Sequence, residues 1–398
     1  MTLALKELKI LDLTQVMAGP YCCQLLADFG AQVTKVEPVG VGDHSRHSMG
    51  FRLKDGETSA AFVAVNRNKE SIALDLKTED GKKVIYRLAA DADVVVENFR
   101  PGVTTRLGID YPTLHELNPR LIYASISGFG QTGPYASRPG YDLIAQAMAG
   151  VMSVTGEPGG APVKCGIPIA DLSAGLFATV GILSAYVARA QTGTGQHVDV
   201  SLFESALALS IWETAELWGG ERIPQAFGSA HRFSAPYQAL QTRDGYLTVG
   251  GNTQRLWVRL CETLDRADLV EDARFATNSD RLAHREELAT ELESVLKNRD
   301  TDDWVEALLA SGVPAGPIRN YEEVCSDEHT LAREMVVEMD HPTAGTIRGL
   351  GIPVKLSDTP GQIRRAAPLL GQDTDEVLDR CGYSAAEIAE LRHQGVVQ

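Results

Sequence analysis

The first two hundred residues alternate between strand-like and helix-like patterns, and this constrains the fold more than any other feature of the chain. Short apolar runs suited to strands occur at 9–13, 32–36, 93–97, 121–125 and 196–200. Helical stretches are predicted at 20–29, 78–90 and 111–117, with a longer one from about 172 to 191. A strand that is apolar throughout must be covered on both faces, and helices between strands supply the crossovers that parallel pairing needs. The expectation is an α/β, Rossmann-like doubly wound parallel sheet, forming a large domain over 1–200. Such sheets bind ligands at the carboxyl ends of their strands.

Beyond Gly219 the pattern changes. The runs 236–240 and 246–250 flank Arg243-Asp244-Gly245 and predict a β-hairpin with an Asp-Gly turn. A charged, mostly helical stretch follows from 253 to 309, so a smaller α+β domain is expected over 225–325. The Gly- and Pro-rich segment 312–317 begins a return, and 330–398 is expected to pack on the large domain. That last segment contains a strand-rich piece at 339–354 and two short helices near 373–380 and 384–394. Two linkers, near 195–225 and 310–335, are long.

Charge narrows the partners. A net charge of −16 and a pI near 5.0 argue against nucleic acid or an anionic membrane as the main partner. They leave room for a local basic pocket and an anionic small molecule. Arg46, Arg67, Lys69, Lys77, Arg100, Arg106 and Arg138 lie beside predicted loops, where phosphate is the natural partner and scattered surface cations the plain alternative. No apolar run approaches about 18 uninterrupted residues. The N-terminus lacks an apolar core of signal-peptide length, so a cytoplasmic location is expected. Six cysteines without C-x-x-C spacing fit reduced thiols. No H-E-x-x-H and no Cys/His cluster with ligand spacing is present, so no metal is expected.

Neither G-x-G-x-x-G nor a Walker A sequence follows the first strand, where Thr14-Gln15-Val16-Met17-Ala18-Gly19-Pro20 stands instead. This turn is either a plain strand-to-helix connection or one that brings a ligand to a helix N-terminus. Ser125-Ile126-Ser127-Gly128 lacks the first glycine of a nucleophile elbow. Two carboxylates remain, Asp142 and Asp171, each at a predicted helix start. Helix capping accounts for both, and a pair of acids in unlike environments can also divide catalytic labour.

At this point a resemblance emerges. The stretches LDLTQVMAGP (11–20), KVEPVGVGD (35–43), NRNKESIALDLK (66–77), VVVENFRPGV (94–103), LIYASISGFGQTGP (121–134), PGYDLIAQAMAG (139–150), GIPIADLSAG (166–175) and APLLGQDTDEVL (367–378) resemble, in this order, the formyl-CoA transferase or class III coenzyme A transferase family. The chain is most similar to members that use succinyl-CoA as donor and small dicarboxylates such as glutarate as acceptor. The resemblance implies Asp171 as nucleophile, an aspartyl anhydride and an aspartyl-CoA thioester as intermediates, and Asp142 and Tyr141 in support. It implies coenzyme A contacts from Gln15, Val16, Ala18, Leu74, Lys77, Asn98, Phe99, Arg100 and Arg106. Coenzyme A thioester is then a co-substrate, with no permanently bound cofactor, and an interlocked homodimer is expected. Arg46 is assigned to the acceptor's distal carboxylate, with an ordinary salt bridge as the alternative.

Departures from the family pattern sharpen the expectation. Pro38 stands where formyl-CoA enzymes carry a basic residue. Their long glycine loop has no counterpart beyond 228–231 and 250–252. Racemases of the family carry His where Tyr141 stands; tyrosine, with a reference pKa near about 10, is a poor base at neutral pH. The competing functions are a 2-methylacyl-CoA racemase and a non-catalytic CoA-binding homologue. Helix-terminal N–H groups are expected to keep Asp171 ionised.

Overall fold

The computed structural model describes residues 2–47 and 50–398. Six strands, β1 (Lys9–Asp12), β2 (Gln32–Glu37), β3 (Lys69–Ala73), β4 (Val94–Glu97), β5 (Ile122–Ser127) and β6 (His197–Ser201), form one sheet in the order β3-β2-β1-β4-β5-β6. Every pairing in it is parallel. The order reverses between β1 and β4, and the carboxyl ends of strands at such a switch point are where open α/β sheets bind ligands. Five of the six strands fall where expected. β3 does not read as an apolar run because it opens Lys69-Glu70-Ser71, yet Lys69 and Ser71 are buried.

Both sheet faces are covered, as the alternation of a pleated strand requires. Val94 and Val96 face one core with Ile10, Ile122 and Ala124, beneath the helices Ala18–Asp28 and Ile169–Thr192. Val95 faces the other with Leu11, Ile72 and Tyr123, beneath Glu79–Asp91 and the two C-terminal helices Thr374–Arg380 and Ala385–His393. Thr78 starts Glu79–Asp91 by accepting from Gly81 N at 3.0 Å, a side-chain N-cap. In Ile169–Thr192 the buried stripe is Ala170, Ala174, Ala178, Ile182 and Ala185, small enough for close helix packing, and Gly193 at φ 77° ends it. By length and composition this helix could also cross a bilayer, although no uninterrupted apolar run marks it in the sequence.

The chain divides into two compact units, 1–151 with 164–215 and 328–398, and 152–163 with 216–327. The second has its own core around Trp257, Leu260, Phe275, Leu292, Trp304 and Leu308. Its hairpin is the expected one, β7 (Tyr237–Gln241) against β8 (Tyr246–Gly250). The segment expected only to begin a return instead adds β9 (Ala315–Pro317) to β8. The two long linkers are largely structured: 195–225 holds β6 and the helices Leu202–Ala208 and Ile211–Gly220, and 310–335 holds β9 and two short helices. In the first unit β10 (Val336–His341) and β11 (Gly345–Leu350) form a further antiparallel hairpin.

Candidate active site

Asp171 is the third residue of Ile169–Thr192, not its cap. The capping anion is Asp142: its Oδ1 accepts from Ala170 N at 2.9 Å and from Asp171 N at 3.4 Å. Gln146, one turn along the helix Asp142–Met148, donates to Asp142 Oδ2 at 2.7 Å and accepts from Cys165 N at 2.9 Å. The N–H groups expected to keep Asp171 ionised are therefore occupied by its neighbour. Among the described residues, none donates a hydrogen bond to the Asp171 carboxylate. Burial, and then the charge of Asp142, push its pKa up from 3.8 to about 7. This corrects the expectation that helix-terminal N–H groups keep the nucleophile ionised: near neutral pH the group is divided between acid and carboxylate.

Two backbone crossings place this pair. A Cβ on Gly128, just after β5, would lie 2.7 Å from Gly140 Cα, so only paired glycines let the strand end approach the Tyr141–Asp142 turn. A Cβ on Gly175 would lie 2.8 Å from Ala18 O and 3.0 Å from Tyr21 Cδ1. Gly175 is one turn beyond Asp171, so the first turns of Ile169–Thr192 are anchored where Ala18–Asp28 begins. Tyr141 is the N-cap residue of its helix and 71% exposed.

At the switch point two of the candidate coenzyme A residues meet. Gln15 N donates to Asn98 Oδ1 and Asn98 Nδ2 donates to Gln15 O, both at 2.8 Å, tying the β1 turn to the β4 turn. Val16 has φ 73° and is the sole β-branched residue with positive φ among the described residues, a conformation costing of order 1–3 kcal/mol. Its N–H donates to Asp43 at 3.1 and 3.3 Å. Ala18 opens its helix and is buried. Phe99 and Arg100 follow β4, Leu74 and Lys77 follow β3, and Arg106 lies on the helix Val103–Leu107. Among the described residues no carboxylate pairs with Lys77, Arg100 or Arg106, and all three are exposed. They are available to phosphate.

Arg46, Arg67 and Lys69 are not. Arg46 donates to both carboxylate oxygens of Glu37 at 2.7 Å and to Pro368 O at 3.1 Å, and stacks 3.6 Å from the Phe62 ring centroid. Its fork is filled by an internal salt bridge, the alternative open in the sequence, and it offers no free bidentate face for an acceptor. Arg67 forks onto Asp28, and Lys69 Nζ donates to Asp12 at 2.9 Å. Arg138 is exposed and stacks on Tyr135. In the second unit, 228–231 is hydrogen-bonded: Gly228 N donates to Gly156 O and Ser229 Oγ accepts from Ala239 N.

Beneath the β1 turn lies a fully buried charge cluster that the sequence did not reveal. Lys35 Nζ contacts Asp43 Oδ2 at 2.9 Å and Asp12 Oδ2 at 4.0 Å, and donates to Thr14 O at 2.7 Å. With Lys69 the cluster holds two cations and two anions, so no charge is left unpaired. Burial raises the pKa of Asp12, but Lys35 and Lys69 outweigh it and hold the group at about 2. Glu97 is a further buried carboxyl, raised to about 7 by burial, that accepts from Phe99 N at 2.8 Å. The one available signal was Gln146, spaced i+4 from Asp142 on a helix. Among the described residues, no group of three or more His, Cys, Asp or Glu is placed to hold a metal ion.

Comparison with known proteins agrees in one direction. The sequence profile of CoA-transferase family III matches residues 5–374. An acyl-CoA transferase of Fusarium pseudograminearum is 46% identical, over 99% of this chain and 88% of its own length. A human succinyl-CoA:glutarate CoA-transferase is 39% identical, over 99% of this chain and 90% of its own length. The crystal structure of a CAIB/BAIF family protein from Brucella suis superposes with a TM-score of 0.87 at 38% identity, covering 96% of this chain and all of that one.

Proposed function

Since this chain belongs to CoA-transferase family III, we propose that it moves coenzyme A from succinyl-CoA to a small dicarboxylic acid, with Asp171 as covalent nucleophile. The observation that carries this is the half-buried Asp171 carboxyl at a helix start, one turn before the Gly175–Ala18 contact, with Asp142 accepting from its N–H. The donor and acceptor class come from the relative named for succinyl-CoA and glutarate.

The chemistry balances without an outside reagent. The Asp171 carboxylate attacks the thioester carbonyl; the C–S bond breaks, coenzyme A leaves as thiolate, and a mixed anhydride forms. The thiolate attacks Asp171 Cγ, releasing the donor as its free carboxylate and leaving an aspartyl-CoA thioester. The acceptor carboxylate then attacks Cγ and expels the thiolate again. Thiolate attack on the acceptor's acyl carbon yields acceptor-CoA and regenerates the Asp171 carboxylate. Splitting the exchange into such steps is what covalent catalysis provides. Burial that raises the pKa of Asp171 also makes its carboxylate more basic and less solvated, which favours attack. Lys77, Arg100 and Arg106 at the carboxyl edge suit the phosphates of coenzyme A. We also propose a homodimer, supported by the exposed apolar face of Ile169–Thr192.

Incubation with succinyl-CoA and hydroxylamine, followed by peptide mass spectrometry, tests the mechanism. A hydroxamate at Asp171 is expected; an unmodified Asp171 under turnover would refute the nucleophile. A panel of dicarboxylic acids assayed with succinyl-CoA identifies the acceptor, and α-proton exchange without any acceptor would favour a racemase instead.

A further inference from the structure

The β1 turn has the shape that dinucleotide-binding folds obtain from glycine, yet it carries a valine at positive φ. The remaining non-glycine residues at positive φ among those described are Asn68, Glu221, Asp265 and Glu334, none of them β-branched. Something must hold Val16 there, and one group is placed to do so. Both oxygens of Asp43 accept from Val16 N–H, at 3.1 and 3.3 Å. Asp43 is fully buried and fixed from every side: Lys35 Nζ at 2.9 Å, Ser45 N at 2.8 Å and Ser45 Oγ at 2.7 Å, with its own N–H donating to Glu37 Oε2 at 2.9 Å. The same Lys35 donates to Thr14 O, so the residues on either side of Gln15 are held by one buried ion pair. Asn98 holds Gln15 itself through both its backbone groups.

We infer that Asp43 is a positioning residue for CoA transfer: paired with Lys35, it locks Val16 in the left-handed conformation and so sets the β1 turn beside Asp171. A glycine would adopt this shape without a clamp but would leave the turn free to sample others. A clamped valine gives a single shape and keeps a half-buried apolar surface in the turn. Asp43 touches no reacting atom in this scheme; it acts through Val16. The inference rests on the β1 turn being part of the coenzyme A site.

Two double variants isolate the effect. Asp43→Asn/Lys35→Met and Asp43→Leu/Lys35→Met carry the same branched skeleton at position 43 and both remove the ion pair together, so neither leaves a lone buried charge. They differ in whether an acceptor faces Val16 N–H. The asparagine protein is expected to exceed the leucine protein at least tenfold in kcat per folded molecule, on the order of what small misplacement of a site costs. KM for the acceptor acid should differ by less than about threefold, since the group acts through geometry and not through binding of that acid. Adding Val16→Gly to the leucine protein should recover at least about fivefold in kcat, because glycine takes positive φ unaided. A purely structural Asp43 would show in thermal stability but not in this rescue. Equal kcat for the two proteins, or no recovery with glycine, overturns the inference. Should the leucine protein not fold, amide exchange at Val16 in the unaltered enzyme decides: protection matching the β1 strand supports the clamp, and exchange at loop rates overturns it. Hydroxylamine trapping separates the two readings. Turnover without modification of Asp171 removes the aspartyl mechanism and leaves this comparison standing. Modified Asp171 with equal rates removes the role of Asp43 alone.

Discussion

Asp171 and Asp142 show how little a residue's identity says about its protonation. Both are aspartates in the first turn of a helix, and the sequence marks them as equal candidates for capping or chemistry. The structure divides the roles: Asp142 takes the helix N–H groups, and Asp171, pushed to about 7, is left with burial and a neighbouring negative charge. Only the carboxylate is nucleophilic, so kcat/KM for succinyl-CoA is expected to fall tenfold per pH unit below about pH 7. Asp142→Asn removes the charge that helps raise this pKa, and the acid limb of the profile should move to lower pH; an unmoved limb would assign it to another group. Linkage adds a stability prediction. Asp171 binds its proton up to about 7 when folded but ordinarily releases it near 3.8, so it destabilises the fold increasingly as pH rises between those values. Asp171→Asn should therefore raise Tm at pH 8 and leave it unchanged near pH 3, while abolishing activity. For Arg46 the ordinary salt bridge, the alternative open in the sequence, is what forms, and a sequence does not reveal that Glu37, nine residues earlier, fills the guanidinium fork.

At the scale of elements, the legible parts were those with a clean period. Val94-Val95-Val96 announces a strand buried on both faces, and the helix Tyr111–Leu117 lies where it was expected. β3 was missed since a buried lysine looks like an exposed one until Asp12, Pro20 O and Asn66 are seen around its ammonium. Helix crossing was equally hidden. Gly175 reads as a weak spot in a helix, about 1 kcal/mol worse than alanine by propensity alone. Here the missing Cβ is what allows Ile169–Thr192 to touch Ala18 O. Gly175→Val should cost about 1–3 kcal/mol by overpacking against backbone that cannot yield. It should also move Asp171 away from the β1 turn, lowering kcat by at least about tenfold in the folded enzyme. Thermal unfolding and steady-state rates check the two effects separately; a stable protein with normal kcat would contradict the placement.

For the whole molecule, one surface stands out. On Ile169–Thr192, Leu176, Phe177, Val180 and Val187 are 48%, 40%, 60% and 61% exposed, and Leu207 and Ile211 on the two helices that follow β6 are 42% and 68% exposed. Exposed apolar side chains along one helix are what the proposed homodimer would cover. Val180→Glu with Val187→Glu is expected to halve the mass measured by light scattering; an unchanged mass would place the interface elsewhere. By itself, the sequence determined the layered α/β architecture and pointed to the two acids, because strand and helix periods and helix-start chemistry are local and leave their trace in consecutive residues. Tertiary structure alone decided which aspartate caps, how the β1 turn is held and which cations stay free for phosphate. Those outcomes depend on burial and on partners tens or hundreds of residues away, and a side chain's charge, pKa and availability are set by such neighbours.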